Sequence, residues 1–230
     1  MKRREFLRKG LALGATALLP GTGFTASSWL PAGKPLMPIW EAALGKHWDV
    51  VKEWLCLDPS LINVTGEAMR RYSGLTLLHL ASTLTSDVEV LRYLIARGTE
   101  VNAVTEDHVT SLHFAVCNNS AEVVKYLISQ GADVNMKDDD GCTPLHCAAR
   151  YGETGLAKIL IDSGADLMAK TEIGGTPLHI AVVHGRAEVI KFLIDSGADV
   201  NAITVGGKTP LDCADTDEKK RILHEVMART

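Results

Sequence analysis

Four histidines, His79, His113, His146 and His179, recur at nearly constant spacing, with Cys147 beside one of them and Cys142 close by. Imidazole and thiolate together are zinc-binding chemistry. The even spacing argues against one shared ion. If it reflects stacked helices, equivalent side chains stand about 8–10 Å apart. Two ligands of one zinc can be separated by no more than about 4.6 Å. The expected role is therefore local hydrogen bonding, because an unsatisfied buried polar group costs about 1–3 kcal/mol.

The remaining reactive residues point to no catalytic chemistry. Cys56, Cys117, Cys142, Cys147 and Cys213 are too few and too irregular for a disulfide framework, and an odd count leaves one thiol free. Cys147 and Cys213 are expected to pack as buried apolar residues. Cys142 and Cys117 are expected to be exposed, without a base or cation to activate them. Asp138-Asp139-Asp140-Gly141 superficially suggests a calcium loop, but the alternating oxygen ligands and the closing Glu are missing, so a solvated turn is expected. No phosphate loop, Gly-x-Ser-x-Gly elbow, His-Glu-x-x-His pair or Cys-x-x-Cys motif occurs in the 230 residues, which implies no enzymatic activity and no cofactor.

What positions the histidines is an internal repeat. Gly98, Gly131, Gly164 and Gly197 fall 33 apart, opening Gly98-Thr-Glu-Val-Asn, Gly131-Ala-Asp-Val-Asn, Gly164-Ala-Asp-Leu-Met and Gly197-Ala-Asp-Val-Asn. In phase with them run Thr76-Leu-Leu-His79, Thr110-Ser-Leu-His113, Thr143-Pro-Leu-His146, Thr176-Pro-Leu-His179 and Thr209-Pro-Leu-Asp212. The one 34-residue step, from His79 to His113, places an extra residue near Thr85. Each unit reads as helix, turn, helix. Thr143 caps and Pro144 takes the first helical position. Gly152 and Gly185 end the inner helix, and Ala148, Ala149 and Ala181 keep it thin. Leu156, Ile159 and Leu160 make an apolar stripe on the outer helix, which Gly164 and Gly197 stop in the left-handed conformation. Upstream the pattern persists in degraded form, with Trp40 in the His place and Lys46 in the Gly place. Beyond Thr216 a last amphipathic helix is expected to shield the end of the stack.

These residues resemble the ankyrin repeat, whose period and Thr-Pro-Leu-His signature they share. The resemblance implies an all-α solenoid of stacked helix pairs with hairpin-like fingers, stabilised by burial between neighbours, in which each imidazole ties adjacent repeats together. It covers residues 36–230: a degenerate repeat over about 36–68, repeats over about 71–104, 105–137, 138–170 and 171–203, and a capping repeat over 204–230. It also implies a protein partner, held by fingers and exposed inner-helix positions. By phase the finger positions are Tyr72, Glu106, Asp107, Asp139, Asp140, Glu172, Ile173 and Val205. The inner-helix positions are Asn118, Arg150, Tyr151 and His184. Several are acidic, so a mostly acidic groove with Tyr72, Tyr151 and Ile173 as anchors is expected. The function expected is a scaffold acting as a monomer. The alternative is an inhibitor or immunity-type protein that neutralises a toxic or secreted enzyme.

The first residues read as an address. Lys2, Arg3, Arg4, Arg8 and Lys9 against Glu5 give the first nine residues +4, which leaves −8 of the chain's net −4 for the rest. An acidic body disfavours nucleic acid as a partner. The run Gly10 to Leu19 would span about 15 Å as a helix, short of the roughly 30 Å of a bilayer core, so no stable membrane span is expected. Lys2-Arg3-Arg4-Glu5-Phe6-Leu7-Arg8 resembles a twin-arginine export motif, with Arg3, Arg4, Phe6 and Leu7 in its key positions. That resemblance implies a signal over residues 1–28, a lead-in over 29–35 and a periplasmic location.

Overall fold

The fold was read from a computed structural model, which describes residues 39–63 and 74–228. The proposed signal, with Arg3, Arg4, Phe6 and Leu7, and the finger residue Tyr72 lie outside the described residues. Eleven α-helices and no strand occur among those described. They come as antiparallel pairs: α1 (Ile39–Leu44) with α2 (Trp48–Leu57), α3 (Leu77–Leu84) with α4 (Val88–Ala96), and α5 (Ser111–Cys117) with α6 (Ala121–Ser129). Then come α7 (Pro144–Tyr151) with α8 (Thr154–Asp162), and α9 (Pro177–His184) with α10 (Ala187–Asp195). In the last unit the inner helix shrinks to a 3-10 turn, Leu211–Cys213, followed by α11 (Asp217–Met227).

The apolar spacing explains the layering. From each outer helix two or three residues go to zero or near-zero exposure, as with Leu156, Ala157 and Leu160 of α8 and Val189, Ile190 and Leu193 of α10. The inner helices bury Leu145, Ala148 and Ala149, or Leu178, Ala181 and Val182, completely. Alanine on the inner layer lets inner helices pack more closely with one another than outer helices do.

Helix ends follow the residues available. Gly164 and Gly197 stop α8 and α10 with φ of 91° and 99°, and Gly152 ends α7 with φ of 73°. Where the repeat lacks a glycine, Lys46 and Asn119 take the same left-handed conformation, with φ of 61° and 54°. Gly185 ends α9 differently, in extended backbone. The extra residue of the 34-residue step falls between the start of α3 and the start of α4, where 11 positions separate two helix starts that are 10 apart in the next three pairs. α11 is the expected capping helix. Ile222 and Leu223 are buried, and the Thr216 hydroxyl accepts the Lys219 N–H.

A second ladder runs along the other edge. The side-chain amide of Asn102 donates to Gly131 O at 3.0 Å, and its oxygen accepts from the Asp133 N–H at 2.9 Å. Asn135 repeats this with Gly164 O and the Asp166 N–H, at 3.0 and 2.8 Å. Met168 stands in the same register and can do neither, so the step to Gly197 lacks the clamp. Met168→Asn is expected to raise unfolding free energy by about 1 kcal/mol, the net worth of a partly exposed hydrogen-bonded pair. Urea denaturation is the measurement, and an unchanged midpoint would contradict it.

Candidate partner-binding surface

The histidines fix the fingers to the helices. In each of the four, Nδ1 accepts the backbone N–H of the threonine three residues before, at 2.9 Å for His79, 3.3 Å for His113, 3.1 Å for His146 and 3.2 Å for His179. The threonine hydroxyl also faces Nδ1, at 2.8–2.9 Å. The reciprocal bond, from the histidine N–H to the hydroxyl, is long, 3.4 Å at Thr76 and Thr110. An acceptor at Nδ1 puts the proton on Nε2, which donates into the next repeat. The acceptors are Cys142 O for His113, Gly175 O for His146 and Lys208 O for His179, at 3.1, 3.2 and 3.1 Å. His79 reaches Ala103 O instead, at 3.0 Å.

Both nitrogens of every imidazole are thus engaged, and no group of three or more metal-binding side chains occurs among the described residues. Burial pushes the pKa of His79, His113 and His146 down to about 4, against the opposing pull of the carbonyl acceptors, and lowers that of His179. Asp212 holds the His place in the last repeat. Its carboxylate accepts the Thr209 N–H and hydroxyl at 2.8 and 2.7 Å. These hydrogen bonds thus cap its own turn.

The fingers are hairpin-like turns, closed by Thr105 N–H to Val109 O, Asp138 N–H to Cys142 O, Thr171 N–H to Gly175 O and Thr204 N–H to Lys208 O, at 2.9–3.1 Å. Each tip bonds the next: Asp139 N–H to Asp107 O, Glu172 N–H to Asp140 O, and Val205 N–H to Ile173 O, at 3.1, 3.0 and 2.9 Å. The approach is close. A Cβ on Gly141, whose φ is +74°, would stand 2.8 Å from the Glu172 nitrogen. His108 occupies the equivalent place with φ of 56°, and its Nδ1 lies 2.7 Å from Asp139 Oδ1. The acid cluster is therefore a finger tip, as its phase in the repeat implied. Within it Asp138 accepts the Asp140 and Cys142 N–H groups at 3.0 and 2.7 Å, and burial raises its pKa.

Glu106, Asp107, Asp139, Asp140 and Glu172 all lie at exposed tips, and Ile173 and Val205 follow them at 70% and 82% exposure. The tip line thus passes from acidic to apolar toward the C-terminus. On the inner helices His184 and Tyr151 are exposed, Tyr151 at 36%, while Asn118 and Arg150 are half-buried. Asp139 and Tyr151 have defined internal contacts. Asp139 is tied to His108, and Tyr151 packs against Cys117, with its pKa pushed up to about 12, chiefly by burial.

The cysteines correct two expectations. Cys117 and Cys142 are half-buried, not exposed. Cys117 does have a cationic neighbour, Arg150, and its pKa is lowered, first by hydrogen bonding with Cys147 and then by Tyr151. Cys147 is raised in turn, and burial followed by the Asp138 charge pushes Cys142 up to about 12. The sequence offered no signal for this grouping, because Cys117 and Cys147 are 30 apart in a 33-residue repeat.

No helix among the described residues is long and apolar enough to cross a membrane. A family model described as ankyrin repeats (3 copies) matches the chain in overlapping segments, residues 39–138, 78–171, 112–204 and 165–220. No curated protein matches it.

Proposed function

We propose, from the premise that this chain belongs to the ankyrin-repeat family, that it is an exported scaffold whose finger edge and inner-helix ends bind another protein. Ankyrin repeats generally mediate protein–protein interaction. The observation that carries the reading is the continuous tip line, held in register by backbone bonds, which runs from Asp107 and Asp140 through Glu172 to the exposed side chains of Ile173 and Val205. A rigid acidic row ending in apolar contacts suits a partner surface that is basic at one end and apolar at the other. Fixed geometry also lowers the entropy lost on binding.

The export half rests on Arg3, Arg4, Phe6 and Leu7, and on the contrast between the +4 of the first nine residues and the −8 of the rest. In this reading the chain folds before transport and works in the periplasm as a monomer. Tyr151→Ala with Glu172→Lys is expected to reduce capture of the co-purifying partner at least tenfold, the loss of one anchor of about 1–2 kcal/mol and reversal of one tip charge. Undiminished capture by the folded double variant removes the surface from the proposal.

A further inference from the structure

The outer face, opposite the fingers, carries a separate group of reactive side chains contributed by two repeats. Cys56, near the end of α2, is exposed, and its Sγ lies 3.4 Å from the Tyr93 hydroxyl and 3.4 Å from Arg97 Nη2. The other guanidinium nitrogen, Nη1, donates to Leu55 O at 3.0 Å, and the guanidinium carbon stands 4.6 Å from the Tyr93 ring centre. The Tyr93 hydroxyl donates to Lys52 O at 3.0 Å, and the Lys52 ammonium lies 5.6 Å from the same ring centre. The guanidinium is therefore fixed at three points with one fork left on the sulfur. Among the described residues neither Arg97 nor Lys52 has a carboxylate at ion-pair distance. Two cations without a carboxylate partner beside an open thiol favour both its thiolate and the approach of an anion.

We propose that Cys56 is a thiol–disulfide exchange site selective for small anionic disulfides. The Cys56 thiolate attacks one sulfur of the incoming disulfide, whose S–S bond breaks as the new Sγ–S bond forms. The departing half leaves as a thiolate, and the proton first held by Cys56 goes to solvent. Arg97 stabilises the attacking sulfur, and Lys52 with Arg97 attracts the reactant. The physical trend agrees, since the Tyr93 and Arg97 hydrogen bonds lower the thiol pKa, with Glu53 as the weaker opposing charge. No other cysteine combines these features. Cys117, Cys142, Cys147 and Cys213 are each half-buried, and Cys142 and Cys147 are shifted toward the unreactive thiol. This assignment is independent of the binding reading, because Cys56 lies on an outer helix.

The test uses the full chain, reduced, at pH 7, with 5,5′-dithiobis(2-nitrobenzoate) as the anionic disulfide and cystamine as a cationic one. Release of the aromatic thiolate is followed by absorbance, and modified residues are mapped by mass spectrometry. The expected result is one fast thiol that maps to Cys56 and disappears in Cys56→Ser. Arg97→Gln should slow it several-fold, because losing the guanidinium lowers the thiolate fraction more than the added basicity of the thiolate restores. Lys52→Gln, which leaves the sulfur's partners intact, should reduce only the preference for the anionic reagent over cystamine, and added salt should do the same. A fast thiol that maps elsewhere, an Arg97→Gln rate equal to wild type, or equal rates for the two reagents at low salt overturns the proposal.

Discussion

Urea is expected to unfold this protein at a far lower concentration at pH 4.5 than at pH 7.5. His79, His113 and His146 sit neutral in the fold, their pKa pushed down to about 4, mainly by burial. In the unfolded chain each returns to about 6.5. Between these values the unfolded chain takes up protons that the folded chain refuses. Stability is therefore complete above pH 6.5, is lost as pH falls toward 4, and levels off below that. The loss by pH 4.5 is about 2 kcal/mol for each of the three, on the order of 6 kcal/mol together, a large share of an ordinary domain's stability. His179, also lowered, adds in the same direction. The window lies mostly above the carboxylate range, so acids contribute little before pH 5. Because His113 and His146 each bridge two repeats, most of the loss falls on the interfaces between neighbours, where a solenoid's cooperativity resides. A midpoint that stays constant from pH 7.5 to 5 would contradict the buried, neutral ladder.

The second large effect is at Gly185. A Cβ there would stand 2.6 Å from Ala149 O, 2.7 Å from Ala181 O and 2.9 Å from Val189 Cγ1. Its φ of −82° is one any residue adopts, so Gly185→Ala introduces contact strain alone. Two of the three atoms are backbone and one belongs to the preceding repeat, so relief requires α7 and α9 to separate. We expect about 3 kcal/mol of destabilisation, the upper end for overpacking. Gly155→Ala is the internal control. It has open space around its Cβ position and lies in the first turn of α8, where alanine should stabilise by about 0.5–1 kcal/mol. Calorimetry or urea unfolding of the pair measures the contrast, and equal effects of the two substitutions would show that the inner helices do not approach so closely.

The architecture was legible because a repeat tests itself. Each Thr, His and Gly at fixed offset constrains its equivalents, so even the degraded first unit, with Lys46 at the glycine place, could be set in register. The two-sided histidine bonding followed from the same logic once the ankyrin resemblance was drawn. What stayed hidden were contacts that cross the register. Cys56, Tyr93 and Arg97 meet because α2 and α4 lie side by side, yet their separations of 37 and 41 residues match no multiple of the repeat. Cys117 meets Cys147 for the same kind of reason. The tie between His108 and Asp139 had a visible sign, since histidine stands where Gly141 and Gly174 stand in the following units, but a single departure from pattern does not reveal which neighbour it touches. The groove residues were placed by phase alone, and phase gives position without saying that Asp139 or Tyr151 already has an internal contact.

Hydrogen exchange on the complex with the co-purified partner tests the central claim, that this stack works through its finger edge and inner layer. The expected result is slowed exchange, relative to the free protein, in the finger segments 105–109, 138–142, 171–175 and 204–208 and at the ends of α5, α7 and α9. Slowing confined to the outer helices α4, α6, α8 and α10, with the fingers exchanging as they do alone, would contradict it.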